Sequence, residues 1–148
     1  MTTADAIVNL DAEIAQVLKE WATKYDGVDP VPAHVLDTVS EEEKLYAMNA
    51  AAVQTAMAGQ PRGLYELTET SVEPKLYDVD QLNYVRKPAD VVNTGEDLDM
   101  DEGLAMAVVY YAVDQLCADC DRYGTLGNKV VKEYLSAYKS YDKTIPVP

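Results

Sequence analysis

The chain has 148 residues, room for one domain with a real core and too few for a two-domain enzyme with a cofactor lobe. With 26 acidic and 12 basic residues the formal charge is −14, which argues against gripping nucleic acid through a basic face and against docking on an anionic membrane. No apolar run approaches the ~18 residues needed to span a bilayer, and Met1-Thr2-Thr3-Ala4-Asp5 lacks the features of a signal peptide, so folding in a cytoplasm is the expectation.

In chain order, the spacing of Ile7, Leu10, Ile14, Val17 and Trp21 draws one apolar stripe and predicts a helix over 4–25, with Thr3 as its N-cap. Gly27 breaks it, and Asp29-Pro30-Val31-Pro32 reads as a stiff linker. Ser40 and Glu43 form a capping-box signature for a second, alanine-rich helix over 40–58, ended by Gly59 and Pro61. From 63 to 92 partial period-two alternation, bounded by Pro74 and Pro88, predicts an extended or small-β middle segment.

An acidic stretch, Glu96 to Glu102, leads into a third helix over 100–121, where negative charge suits the helix N-terminus. Leu104 to Val113 is apolar all the way round, as expected of a helix buried on every side. Such enclosure is hard to build from one short chain, so Leu104, Val108, Val109 and Tyr111 are expected to pack between subunits. Gly124 and Gly127 are read as a break before a fourth helix over 128–142, and Pro146 and Pro148 make the end an extended tail. The fold class is therefore mainly α: about four helices in a bundle, one domain over 1–143 with an irregular or β insertion at 63–97, followed by a tail at 144–148.

Chemistry is sparse. His34, the single histidine, sits in a Pro-flanked linker beside no nucleophile motif, and a surface or packing role is expected. Cys117 and Cys120 have the spacing of a redox dithiol but fall near a helix end, where the dipole would raise thiol pKa values; the reading is buried small hydrophobes, with no disulfide framework and no four-cysteine zinc site. The stretch Glu96 to Glu102 fails the calcium-loop template, and no glycine-rich phosphate loop is present. No catalytic residue, metal ligand or cofactor is assigned, and the expectation is a protein that is not an enzyme.

The order of features has a likeness among known proteins. Tyr84-Val85-Arg86-Lys87-Pro88 is followed by Leu98-Asp99-Met100-Asp101-Glu102-Gly103-Leu104, then by Ala107-Val108-Val109-Tyr110-Tyr111-Ala112, then by Tyr134-Leu135-Ser136-Ala137-Tyr138. Over Leu64 to Asp142 this resembles the head–tail connector (adaptor) proteins of tailed bacteriophages, by order and texture rather than by a diagnostic motif. The resemblance implies a helical structural virion protein without catalysis, a ring of roughly twelve copies beneath the portal protein, and a location in the virion neck after synthesis in the host cytoplasm.

It also implies a tail or neck protein on the opposite face and genomic DNA passing through without specific binding. Carried over, Ile145, Pro146, Val147 and Pro148 would be the portal-docking tail, with Tyr138 and Tyr141 at its base. The long tyrosine-rich middle and the acidic N-terminal half depart from the better-known members, which leaves open which face meets which neighbour. Acidic channel walls would repel phosphate and let DNA slide. The alternative is a small acidic helical binding or regulatory protein, of partner-binding or DNA-mimic type; a small redox protein using Cys117 and Cys120 is the third reading.

Overall fold

The computed structural model describes residues 1–59 and 88–142, with side chains to residue 137. Helix α1 spans Thr3–Lys24, with Asp5 in its first turn and Lys24 in its last complementing the helix dipole. Its cap is Thr2 rather than Thr3: the Thr2 hydroxyl accepts the Asp5 N–H at 3.1 Å. The one-residue shift has a tertiary cause. The backbone N–H groups of Thr3 and Ala4, orphaned at a helix start, donate to the carbonyls of Glu96 (2.8 Å) and Thr94 (3.1 Å), and an antiparallel bridge pairs Thr2 with Asp97. Gly27, at φ 84°, makes the turn out of α1 that a side chain would strain.

A single 3-10 turn over Val35–Thr38 follows, and then α2 over Glu41–Gly59. The expected capping box is present: the Ser40 Oγ accepts from the Glu43 N–H at 3.1 Å while the Glu43 carboxylate accepts from the Ser40 backbone N–H at 3.4 Å. Ala47, Met48, Ala51, Ala52 and Ala56 form the buried face. Residues 88–101 are irregular and are clasped to α2 by Asn49, whose amide donates to the Val91 carbonyl (3.1 Å) and accepts from the Val91 N–H (2.8 Å). The candidate strands within 63–87 lie outside the described residues.

Another 3-10 turn, Glu102–Leu104, opens α3, which spans only Ala105–Leu116; α4 begins at Asp121 and spans Asp121–Asp142. Three boundaries thus differ from the expected 100–121 and 128–142: both ends of α3 and the start of α4. Cys117 is extended (φ −136°, ψ 102°), so the turn between the helices is Cys-Ala-Asp-Cys. Gly124 and Gly127 do not break α4 but lie within it, because α3 passes close to this face. A Cβ at Gly127 would sit 2.5 Å from Cε1 of the Tyr111 ring, which packs there and donates its hydroxyl to Asn128 Oδ1 at 2.6 Å.

Helix α3 is the centre of a mainly α-helical bundle: α1, α2 and α4 of the same chain pack around it. Leu104, Val108 and Val109 are 0% exposed and Tyr111 is 1% exposed. At about 1.5–3 kcal/mol for each fully buried large aliphatic side chain, this helix is a main source of stability. Its enclosure is intrachain. That removes the reason for placing these four residues between subunits, since a middle helix with three neighbours is covered without a second copy. Among the described residues no helix is long and apolar enough to cross a membrane.

Candidate functional site

The chemistry-bearing side chains singled out in the sequence meet at one end of the bundle. The linker after α1 returns along that helix because the Trp21 indole Nε1 donates to the Pro32 carbonyl at 2.7 Å. His34 then caps the 3-10 turn: its backbone N–H donates to Asp37 Oδ2 (2.7 Å), and its ring Nδ1 accepts from the Leu36 N–H (3.0 Å). The Trp21 ring meets the imidazole edge-on, with centroids 4.8 Å apart. Two ties therefore hold the ring, and they bring Nε2 to 3.9 Å from Sγ of Cys117 in the α3–α4 turn.

Cys117 and Cys120 are bonded to one another, with Cα atoms 5.4 Å apart, inside the range of about 4.4–6.8 Å for bridged pairs. The expectation of two separate buried thiols is corrected on this point: shortening α3 to Leu116 puts the pair across a tight turn, where their Cβ vectors converge. Burial itself is as expected, at 1% exposed for Cys117 and 9% for Cys120. Cys120 precedes the first residue of α4, so its sulfur lies toward the positive end of a helix dipole instead of the negative end assumed from the sequence.

Cys120 also lines an open groove of about 550 Å³ whose walls include Trp21, Lys24, His34, Asp119 and Arg122. Three of its lining residues, Glu20, Arg122 and Tyr123, share a polar network. The Arg122 guanidinium donates to Glu20 Oε2 (2.5 Å) and to the Tyr123 hydroxyl (3.0 Å), and the Tyr123 hydroxyl donates to Glu13 Oε2 (3.0 Å). The Arg122 hydrogen bond holds the Glu20 carboxyl below the usual carboxylate range. Burial pushes the Tyr123 phenol up, with Glu13 adding to the effect.

His34, Cys117 and Cys120 are a donor set suited to a soft ion such as zinc, with ligand atoms all within 4.8 Å of one another. The imidazole is oriented against that use. A ligating histidine donates its second ring N–H to an oxygen acceptor, whereas Nδ1 here accepts a backbone N–H. In the neutral ring the proton is then on Nε2, the atom facing the sulfur, and that atom is a donor. The geometry suits a hydrogen bond to sulfur better than coordination of a cation.

The described residues hold only part of the set assigned from the phage resemblance. Tyr138 and Tyr141 are on the last part of α4, beyond the described side chains, and Ile145, Pro146, Val147 and Pro148 fall outside the described residues. Leu104, Val108, Val109 and Tyr111 form the interior of the bundle. The cluster of Trp21, His34 and the cysteine pair was not legible as a unit: the one signal, two cysteines three apart, was read on a helix, and His34 is far away in sequence. Compared with known family models, characterised proteins and solved structures, the chain matches none.

Proposed function

We propose that this chain is a structural virion protein, a head-to-tail adaptor that forms a homo-oligomeric ring beneath the portal protein of a tailed phage, joins it to a tail or neck protein, and lines the channel through which DNA passes. The observation that carries this reading is that three pieces of the resemblance form one structural unit. In the acidic step before α3, Asp101 accepts a hydrogen bond from the Tyr134 hydroxyl of the "Tyr-Leu-x-x-Tyr" segment. Gly103 of the same step lies against the Tyr134 ring, where a Cβ would approach Cδ2 to 2.9 Å. The step runs directly into the Ala/Val/Tyr helix, against which α4 packs.

Charge supports the same reading. The first 60 residues hold 10 acidic and 3 basic side chains, giving −7, and most of these carboxylates are exposed. A wall of that sign repels phosphate and keeps DNA from sticking. Lateral contacts in a ring would draw on the apolar side chains that the single chain leaves open, among them Tyr46 (77% exposed), Met57 (65%) and Val8 (67%), in place of the enclosed face of α3.

The test is native mass spectrometry of the purified chain, alone and mixed with a candidate portal protein. A stoichiometric ring, free or formed only on the portal, is the expected result. A stable monomer that ignores the portal would overturn the reading in favour of a small acidic partner-binding protein.

A further inference from the structure

We propose that the Cys117–Cys120 bond is a thiol–disulfide exchange centre, in which Cys120 is the sulfur attacked by an incoming thiolate and His34 stabilises the Cys117 thiolate that leaves. The proposal is independent of the adaptor reading. It rests on three features that a buried structural clasp does not require.

The two sulfurs are unequal in access. Cys120 faces the groove at the α1–α4 junction, whereas Cys117 is 1% exposed and does not line it. Of the two cysteines, the one that borders open space is Cys120, at 9% exposed against 1% for Cys117. The sulfurs are also unequal in electrostatics, and in the complementary sense. Only Cys117 has the imidazole Nε2 within hydrogen-bond range for sulfur, at 3.9 Å, and the Leu36 N–H on Nδ1 makes Nε2 the protonated nitrogen of the neutral ring. Finally, the donor is preorganised: the Trp21 edge contact and the Leu36 tie set the ring before any charge develops. Cys120, just ahead of α4, gains in turn from the helix dipole when it becomes a thiolate in the second step.

The chemistry balances as follows. A thiolate attacks Cys120 Sγ along the bond axis, forming a mixed disulfide and breaking the Sγ–Sγ bond, and the bonding pair leaves on Cys117 Sγ. A second thiolate attacks the substrate sulfur of the mixed disulfide, releasing the Cys120 thiolate and an external disulfide. Two electrons enter the protein, two substrate thiols are oxidised to one disulfide, and the two protein thiolates take up protons according to pH. The reverse sequence reduces a substrate disulfide to two thiols and re-forms the Cys117–Cys120 bond. The substrate class is an accessible thiol, either a small molecule or a cysteine on a flexible peptide.

The experiment uses the full-length oxidised protein, folded, with glutathione in one arm and an unstructured cysteine-bearing peptide in the other, followed by alkylation and mass spectrometry. Reduction without denaturant is expected, in both arms or preferentially in the peptide arm. The Cys117→Ala variant, treated with glutathione disulfide, should acquire the adduct on Cys120 at least about tenfold faster than Cys120→Ala acquires it on Cys117. His34→Phe keeps a ring against Trp21 but has no N–H, and should shift the redox equilibrium toward the disulfide by about tenfold, the scale of one hydrogen bond to a charged acceptor. Because that variant could fail to fold, 15N NMR of the wild-type ring gives a second readout, with Nε2 protonated and Nδ1 not. Reduction that requires denaturant, equal or faster adduct formation on Cys117, an Nδ1-protonated ring, or stoichiometric zinc binding by the reduced chain through His34 would each overturn the proposal.

Discussion

Replacing Gly127 by alanine tests whether α4 tolerates glycine because of what packs against it. In an open helix the change would stabilise by about 1 kcal/mol through helix propensity. Here the new Cβ would lie 2.5, 2.7 and 2.8 Å from Cε1, Cδ1 and Cζ of Tyr111, about 1 Å inside the usual carbon–carbon contact of 3.5–4.0 Å. The ring cannot step aside freely. It is 1% exposed, and its hydroxyl is held by Asn128, the next residue along α4. Overpacking costs about 1–3 kcal/mol, and loss of the Tyr111–Asn128 hydrogen bond about 1 kcal/mol more. The expected net is a destabilisation of about 1–3 kcal/mol, or a fall in Tm of roughly 2–4 °C for each kcal/mol.

Thermal and urea unfolding followed by circular dichroism measure it. Gly124→Ala is the matched control, because its Cβ would meet the Asp114 carboxylate at an ordinary 3.7 Å. That variant should be as stable as wild type or more so, by up to about 1 kcal/mol. If Gly127→Ala proved as stable as Gly124→Ala, the close approach of α3 and α4 at this point would be wrong.

Val108→Asp places a carboxylate at a 0% exposed position in the middle of α3 and should leave the chain unfolded by circular dichroism; a folded variant would refute the enclosed helix. Asn49→Ala removes both hydrogen bonds to Val91 and should cost about 1–3 kcal/mol, with faster amide exchange across 88–101 measured by hydrogen exchange. Thr3→Val removes a buried hydroxyl that finds no partner among the described residues, so urea unfolding should show stability unchanged or raised by up to about 1 kcal/mol. Burial, with the Asp114 charge, raises the Tyr111 phenol above its ordinary value, and burial raises that of Tyr123 as well. A raised folded-state pKa contributes stability that is complete below pH ~10 and lost as pH rises through the folded value. Alkaline unfolding should therefore set in above that point and be blunted in Tyr111→Phe and Tyr123→Phe, as read by a pH titration of Tm.

Much of the helical frame was legible because its signals are local. The stripe from Ile7 to Trp21 and the Ser40–Glu43 box depend on neighbours three and four residues apart, and α1 and α2 appear within a residue or two of where they were expected. The errors cluster where a distant partner decides. Gly124 and Gly127 would weaken an isolated helix, yet α4 runs through both because the Tyr111 ring occupies the space a side chain would take. The cap of α1 shifts to Thr2 because the chain near Glu96 supplies carbonyls to the first amides of the helix.

Composition and periodicity by themselves determined a helical class, a strongly acidic surface and an apolar α3, since these follow from residue type and spacing. What covers α3 was decided only in three dimensions: α1, α2 and α4 enclose it within one chain, so its apolar girth is core. The same holds for the site. A histidine in a linker and two cysteines beyond α3 carry no mutual signal in the sequence. They form a single cluster because Trp21 pins the linker back along α1 and α3 stops at Leu116, which together bring the imidazole to the sulfur.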